Sequence, residues 1–246
     1  MIRRLLLQSW GVLLLGAAWQ IYVMAMHFNS IVIVTPLAVL RDIVMHPGIY
    51  IMPALWTLGF ALTGLAGGLI VGVLLAILAW TSTTFSGMFY PLALLLSSTP
   101  VVCLIPMLAR IFGYRSGTEL AIIVILTFFP AFVFSASGLR RLPAMSNELF
   151  SIFAANSRKR LLLLALPAAV PSIATALRVC SAYSVLVTMV AEYLMQTGGL
   201  GNMFALMSQE FQTERAFGAS LLAMVLSSAL YSAANAVEAR VQARYR

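Results

Sequence analysis

Six stretches of mostly apolar sequence, near 5–26, 54–80, 87–112, 118–138, 163–194 and 216–237, set the terms on which this chain folds. Each is long enough to cross the hydrocarbon core of a bilayer, which takes about 20 residues of α-helix. Only 9% of the 246 residues are charged and 62% are hydrophobic, whereas a soluble domain carries charge on roughly a quarter of its residues. A single water-soluble core could not hide that much apolar surface. The pattern predicts an all-α, polytopic membrane protein with six transmembrane helices in one domain spanning 1–246.

The net charge of +8 then becomes a question of sidedness. Six spans place both termini on one side. With the N-terminus inside, the cytoplasmic segments hold Arg3, Arg4, Arg140, Arg141, Arg158, Lys159, Arg160, Arg240, Arg244 and Arg246, while the outer loops hold Arg41, Arg115 and Arg215. The bias of Lys and Arg toward cytoplasmic loops selects N-in, C-in. The basic start, apolar run and Ala17-Ala18 loosely fit a signal peptide. The run continues to about Met26, however, past the usual 7 to 15 apolar residues, and reads as a first span. Cys103 and Cys180 both fall in apolar spans, where the commoner role is that of a small buried hydrophobe, and no disulfide is implied.

Within the second span, Gly64, Gly68 and Gly72 recur every four residues and predict a smooth stripe against which another helix backbone packs. The third span carries Pro91, Pro100 and Pro106, and the fourth Pro130. Interior prolines free backbone carbonyls that need partners in a bilayer, so such helices bend beside cavities. Ser97, Ser98, Thr99 and Pro100 are accordingly candidates for a translocation pathway, with tolerated packing prolines as the alternative. Between the first two spans, Thr35 as cap, Pro36 at the first helical position and Leu37, Leu40 and Val44 on one face predict a short amphipathic helix at the outer surface. A second short helix is expected after the Gly198-Gly199 turn. Both are candidates for an external partner or for simple interfacial anchoring.

Enzymatic chemistry finds no assembled set. His27 and His46 are the only histidines and lie in the first outer loop, the seven acidic residues are scattered, and Lys159, the single lysine, follows Arg158 rather than glycine, which excludes a phosphate loop of the G-x-x-x-x-G-K type. Two ionisable residues do sit in the fifth span. An arginine near mid-membrane costs about 2.5–3.5 kcal/mol, so Arg178 must face protein or water. It either pairs with a carboxylate on a neighbouring helix or meets an anionic group of a solute. Glu192 lies fourteen residues further on, about 21 Å along the axis. It is therefore not the direct partner of Arg178 and is expected near the outer mouth, as a gate residue or, preferentially, a rim carboxylate.

The loop between the fourth and fifth spans carries a resemblance. Permeases of binding-protein-dependent ABC importers have here Glu-Ala-Ala, three residues, Gly, nine residues, Ile, one residue, Leu-Pro. In this chain Glu148 fits the first position, Ala154 the glycine, Leu164 the isoleucine and Leu166-Pro167 the closing pair; Leu149 and Phe150 replace the two alanines. "TPLAVL", "GFALTG", "STPVVCLIPMLARIFG", "TALR", "VAEYL" and "GGLG", in that order, resemble the nitrate, taurine and aliphatic-sulfonate branch.

The resemblance implies a type I ABC importer permease. Its cytoplasmic loop, 139–162, would be the coupling element, with Glu148, Leu149, Phe150, Ala154, Ala155, Asn156, Ser157, Arg158, Leu166 and Pro167 as the ATPase-coupling residues. It also implies two copies of a separate ABC ATPase, which would carry ATP and Mg, with no cofactor on this chain. A second permease subunit, the same or different, and an extracytoplasmic solute-binding protein complete the expected assembly. The location implied is the bacterial inner membrane, with no nucleic-acid partner. Bulk at Leu149 and Phe150 would require an altered ATPase groove. The cargo expected is a small anionic organic or inorganic solute, Arg178 being the reason for the sign. The competing class is an ion-coupled secondary transporter or a channel.

Overall fold

The computed structural model describes residues 2–26, 29, 33–142, 145, 150 and 156–245, and among these there is no strand. In chain order the helices are α1 (Ile2–Ala25), α2 (Pro36–Met45), α3 (Pro47–Thr81), α4 (Thr83–Ser98), α5 (Val101–Phe112), α6 (Ser116–Arg140), α7 (Ser157–Met195), α8 (Gly199–Gln209) and α9 (Thr213–Arg244). Four of them, α3, α6, α7 and α9, are long and apolar enough to cross a membrane. Helix α1 and the pair α4–α5 occupy the positions of the first and third expected spans.

The third span is not one helix. It breaks at Thr99–Pro100, because proline lacks the N–H that would continue the ladder and biases the preceding residue away from helical angles. Pro91, Pro106 and Pro130 stay inside helices, by contrast. A second irregularity lies in α7, where Leu161–Ala165 form a π-turn just ahead of Pro167.

Large apolar side chains dominate the outside of the bundle and small ones its inside. Leu13, Leu15, Ile21, Met52, Leu95, Met107, Ile111, Leu163 and Met224 are exposed, while Ala61, Ala76, Ala109, Ala131, Ala165, Ala176, Ala191 and Ala219 are fully or nearly fully buried. This distribution suits hydrocarbon, where helices associate by close packing of small residues rather than by expulsion of water. Helices α3 and α6 show it most clearly. A Cβ on Gly64, Gly68 or Gly72 would overlap Ile123, Thr127 or Ala131 of α6 in turn, so the four-residue stripe is the seam that the spacing predicts. Cys180 is buried in this core, but Cys103 is exposed on α5, contrary to the expectation of burial.

Helix α2 begins as read from sequence, with the Ala38 N–H donating to Thr35 Oγ1 at 3.3 Å and Pro36 in the first turn. The face that packs on the rest of the bundle is the opposite one from Leu37, Leu40 and Val44. Val39 is buried and Ile43 packs on the cluster of Tyr50, Leu200 and Met203, whereas Leu37, Leu40 and Val44 point outward. The two faces are both apolar, so periodicity alone did not choose between them. Tyr50 fastens the helix by donating its hydroxyl to Asp42 Oδ2.

Candidate functional site

Three features meet along α7. At its C-terminal end, Glu192 is completely buried, which overturns the preferred reading of a rim carboxylate. The Gly201 N–H donates to Glu192 Oε2 at 2.9 Å. The Thr57 hydroxyl of α3 lies 2.8 and 2.9 Å from the two carboxylate oxygens, and the same Thr57 oxygen accepts from the Leu200 N–H at 2.8 Å. Glu192 and Thr57 thus cap the free N–H groups that open α8, where the helix dipole favours negative charge.

The glycines of "GGLG" have a steric reason in this knot. Gly199 has φ +76° and a Cβ there would overlap the Glu192 carboxylate; one on Gly201 would overlap the Met189 carbonyl. Glu119, in the first turn of α6, is also fully buried, and it stands close enough to Glu192 for their charges to interact. Its polar neighbour is Thr197, in the turn that leads into α8.

Toward the middle of α7, Arg178 Nε lies 2.6 Å from Glu238 Oε2 of α9, the carboxylate pairing that the sequence left open. Glu238 is buried and also accepts from the Thr175 hydroxyl at 2.6 Å and from Gln242 Nε2 at 2.9 Å. The guanidinium donates to the Tyr231 hydroxyl at 3.5 Å and sits 5.8 Å from that ring's centre. Arg178 is therefore charge-compensated within the subunit. Sequence reasoning missed Glu238 because sixty residues separate the partners and no local spacing signals the pair.

Between these two clusters a groove of about 590 Å³ opens between α7 and α9, with Gly201 and Phe204 of α8 at one end and Tyr231 at the other. A smaller cavity of about 390 Å³ is bordered by Thr99, Pro130 and Tyr183, so the helix break and the interior proline of α6 do flank an open space. The Thr99 hydroxyl donates back to the Leu95 carbonyl at 2.9 Å, and Pro100 stands at the start of α5. Ser97 and Ser98 close α4, and their side chains lie outside the described residues.

At the other end of α7 stands the segment that the sequence resemblance marks as the expected coupling element. Asn156 caps the helix by accepting from the Lys159 N–H at 2.9 Å, and Ser157, Arg158 and Lys159 are exposed. The polar turn Ser157–Arg160 runs directly into the apolar helix, where Leu166 packs on the core and Pro167 is exposed. Phe150 is half-buried; Glu148, Leu149, Ala154 and Ala155 lie outside the described residues. Nearby, Arg140 at the end of α6 donates to the Ser86 hydroxyl at 2.8 Å and lies over the Tyr90 ring at 4.3 Å, tying α6 to α4.

These features describe a bundle of apolar helices with small-residue seams, a proline-broken helix beside a cavity and a basic turn feeding one long helix. The chain belongs to the binding-protein-dependent transport system inner membrane components, whose family pattern matches residues 68–246. It is 28% identical over 200 residues to the formylaminopyrimidine transport permease protein ThiX of Halalkalibacterium halodurans, covering 81% of this chain and 80% of that one. It is 24% identical over 156 residues, 63% of this chain and 56% of the other, to a Bacillus subtilis protein described as an aliphatic sulfonates transport permease, SsuC. Among solved structures, a chain of an amino acid ABC transporter with histidines has the same fold, with a TM-score of 0.67 at 12% identity over 81% of this chain and 97% of its own length.

Proposed function

We propose that this chain is the permease subunit of an ABC importer that forms half of the translocation pathway and is driven by a separate ATPase through the loop 139–162. The observation that carries the reading is the continuity of α7: an Asn156-capped basic turn at Ser157–Arg160 leads through the π-turn into the helix that holds Arg178, lines the groove and carries Glu192 in its last turn. A push on that turn is a push on the groove wall. The π-turn at Leu161–Ala165 lies on the path by which the displacement is passed along the helix.

In this reading both termini are cytoplasmic and two ATPase copies hold ATP and Mg. A second permease, by default another copy of this chain, completes the pathway, and an extracytoplasmic binding protein delivers the solute. Arg158, Lys159 and Arg160 meet acidic ATPase surface or lipid phosphates. The cargo is a small organic solute. The relatives' names span a pyrimidine and sulfonates. Arg178, the reason to favour an anion, has its charge met by Glu238, which weakens that preference.

Co-purification of the candidate ATPase with wild type, Glu148→Ala and Ala154→Arg tests the assignment. The expected result is a stable complex with wild type and loss of the ATPase, or hydrolysis uncoupled from uptake, with the variants. Unchanged assembly and coupling in both variants would remove the loop from the mechanism.

A further inference from the structure

We propose that the groove between α7 and α9 is a binding site for a small, uncharged, planar aromatic solute; the proposal rests on the reading of the chain as an importer permease. At about 590 Å³ the groove falls in the range of ligand sites and has room for one or two rings. Aromatic side chains stand at both ends: Tyr193 and Phe204, tilted against each other with centres 5.8 Å apart, and Tyr231. Met189 and Met224 line the walls with soft, polarisable thioethers that pack well on ring edges.

The charges argue for neutrality. Among the described residues, no acidic or basic side chain lines the groove. The two charged clusters that flank it are satisfied internally, Glu192 by Thr57 and Gly201 and Arg178 by Glu238. A sulfonate or carboxylate placed here would lose its hydration without gaining a free cation, which is costly in an apolar site.

The groove is not merely greasy, however. Ser220, Ser227 and Ser228 put hydroxyls on its α9 side, and Ser220 and Ser227 are held by long bonds of 3.4 and 3.5 Å to backbone carbonyls. Hydroxyls this weakly engaged can turn to a ring nitrogen, amide or amino group. A lipid acyl chain would leave them unused, and a ring with a polar edge would not.

The test uses the full permease with its ATPase in nanodiscs, and a photoreactive diazirine derivative of benzamide as the probe. Labelled peptides are mapped by mass spectrometry, with excess benzamide or benzenesulfonate as competitor. Labelling should fall on residues 182–193 and 220–231, and benzamide should suppress it at least tenfold more effectively than benzenesulfonate. Filling the groove from either wall, with Leu186→Trp or Met224→Trp, should reduce labelling at least tenfold; both side chains are exposed, so the fold tolerates the change.

Equal competition by the sulfonate, labelling unchanged in both filled variants, or equal labelling by an unsubstituted phenyl diazirine that benzamide does not displace would overturn the proposal. The last of these would mark a lipid-facing groove. Co-elution of the ATPase is scored in the same samples. A complex that keeps its ATPase but shows no such labelling refutes the groove site alone, whereas absence of the ATPase refutes the importer reading.

Discussion

Glu192 joins three helices through one side chain. It accepts from Gly201 and Thr57, while Thr57 in turn holds Leu200, so that α3, α7 and α8 meet at a single carboxylate. Removing it in Glu192→Ala strands buried donors at about 1–3 kcal/mol each. That loss should lower the midpoint of thermal unfolding by several degrees, with Glu192→Gln in between. The buried Cys180 thiol provides the readout, since it reacts with a maleimide dye only on unfolding once the exposed Cys103 is replaced by serine.

The glycines make a sharper comparison. Gly199 and Gly113 both have positive φ, +76° and +89°, but a Cβ on Gly199 would strike Glu192 and one on Gly113 would meet open space. Gly113→Ala should cost about 1 kcal/mol from backbone strain alone, and Gly199→Ala clearly more. Equal losses would mean that the knot is not packed as described. For Arg178 and Glu238, Glu238→Ala should destabilise by about 1–3 kcal/mol, tempered by the partial exposure of the arginine. Replacing both residues by leucine should recover most of that loss, because no unpaired charge is left behind.

At the scale of elements, the seam between α3 and α6 depends on glycine where the backbones approach. Gly72→Val should push the two helices apart and leave little folded protein. Gly59→Ala, in the same helix with nothing near its Cβ, should be neutral or stabilise by up to about 1 kcal/mol. Recovery of folded protein from detergent by size exclusion separates the two. This seam was legible in the sequence because small residues four apart must lie on one helix face, and the Thr35–Pro36 helix start was legible because capping chemistry is local. The break at Thr99–Pro100 was legible only as a bend, since proline identity does not say whether a helix kinks, as at Pro130, or ends. The packed face of α2, through Val39 and Ile43, and the burial of Glu192 were not legible. Both depend on how other parts of the chain arrive, and Thr57 and Gly201 reach Glu192 from 135 and nine residues away.

For the molecule as a whole, length and polarity of the spans announced a helical membrane bundle, and the loop register announced its family, while the interior chemistry had to be seen. In the proposed reading the bundle is a lever: a basic turn at one end of α7, two self-satisfied charge clusters along it, and a groove between them. The central claim is that a separate ATPase moves this lever. It is tested most directly by placing a single cysteine at Leu186 in a Cys103→Ser, Cys180→Ala background and reconstituting the permease–ATPase complex in sealed proteoliposomes. Reaction with a membrane-impermeant maleimide added to one side is then measured without nucleotide, with ATP and with ATP plus vanadate. The account predicts that the reaction rate at position 186 changes at least several-fold on vanadate trapping, and that Ala154→Arg abolishes the change. A rate that is the same in every nucleotide state, or that follows an imposed proton or sodium gradient instead, would contradict it.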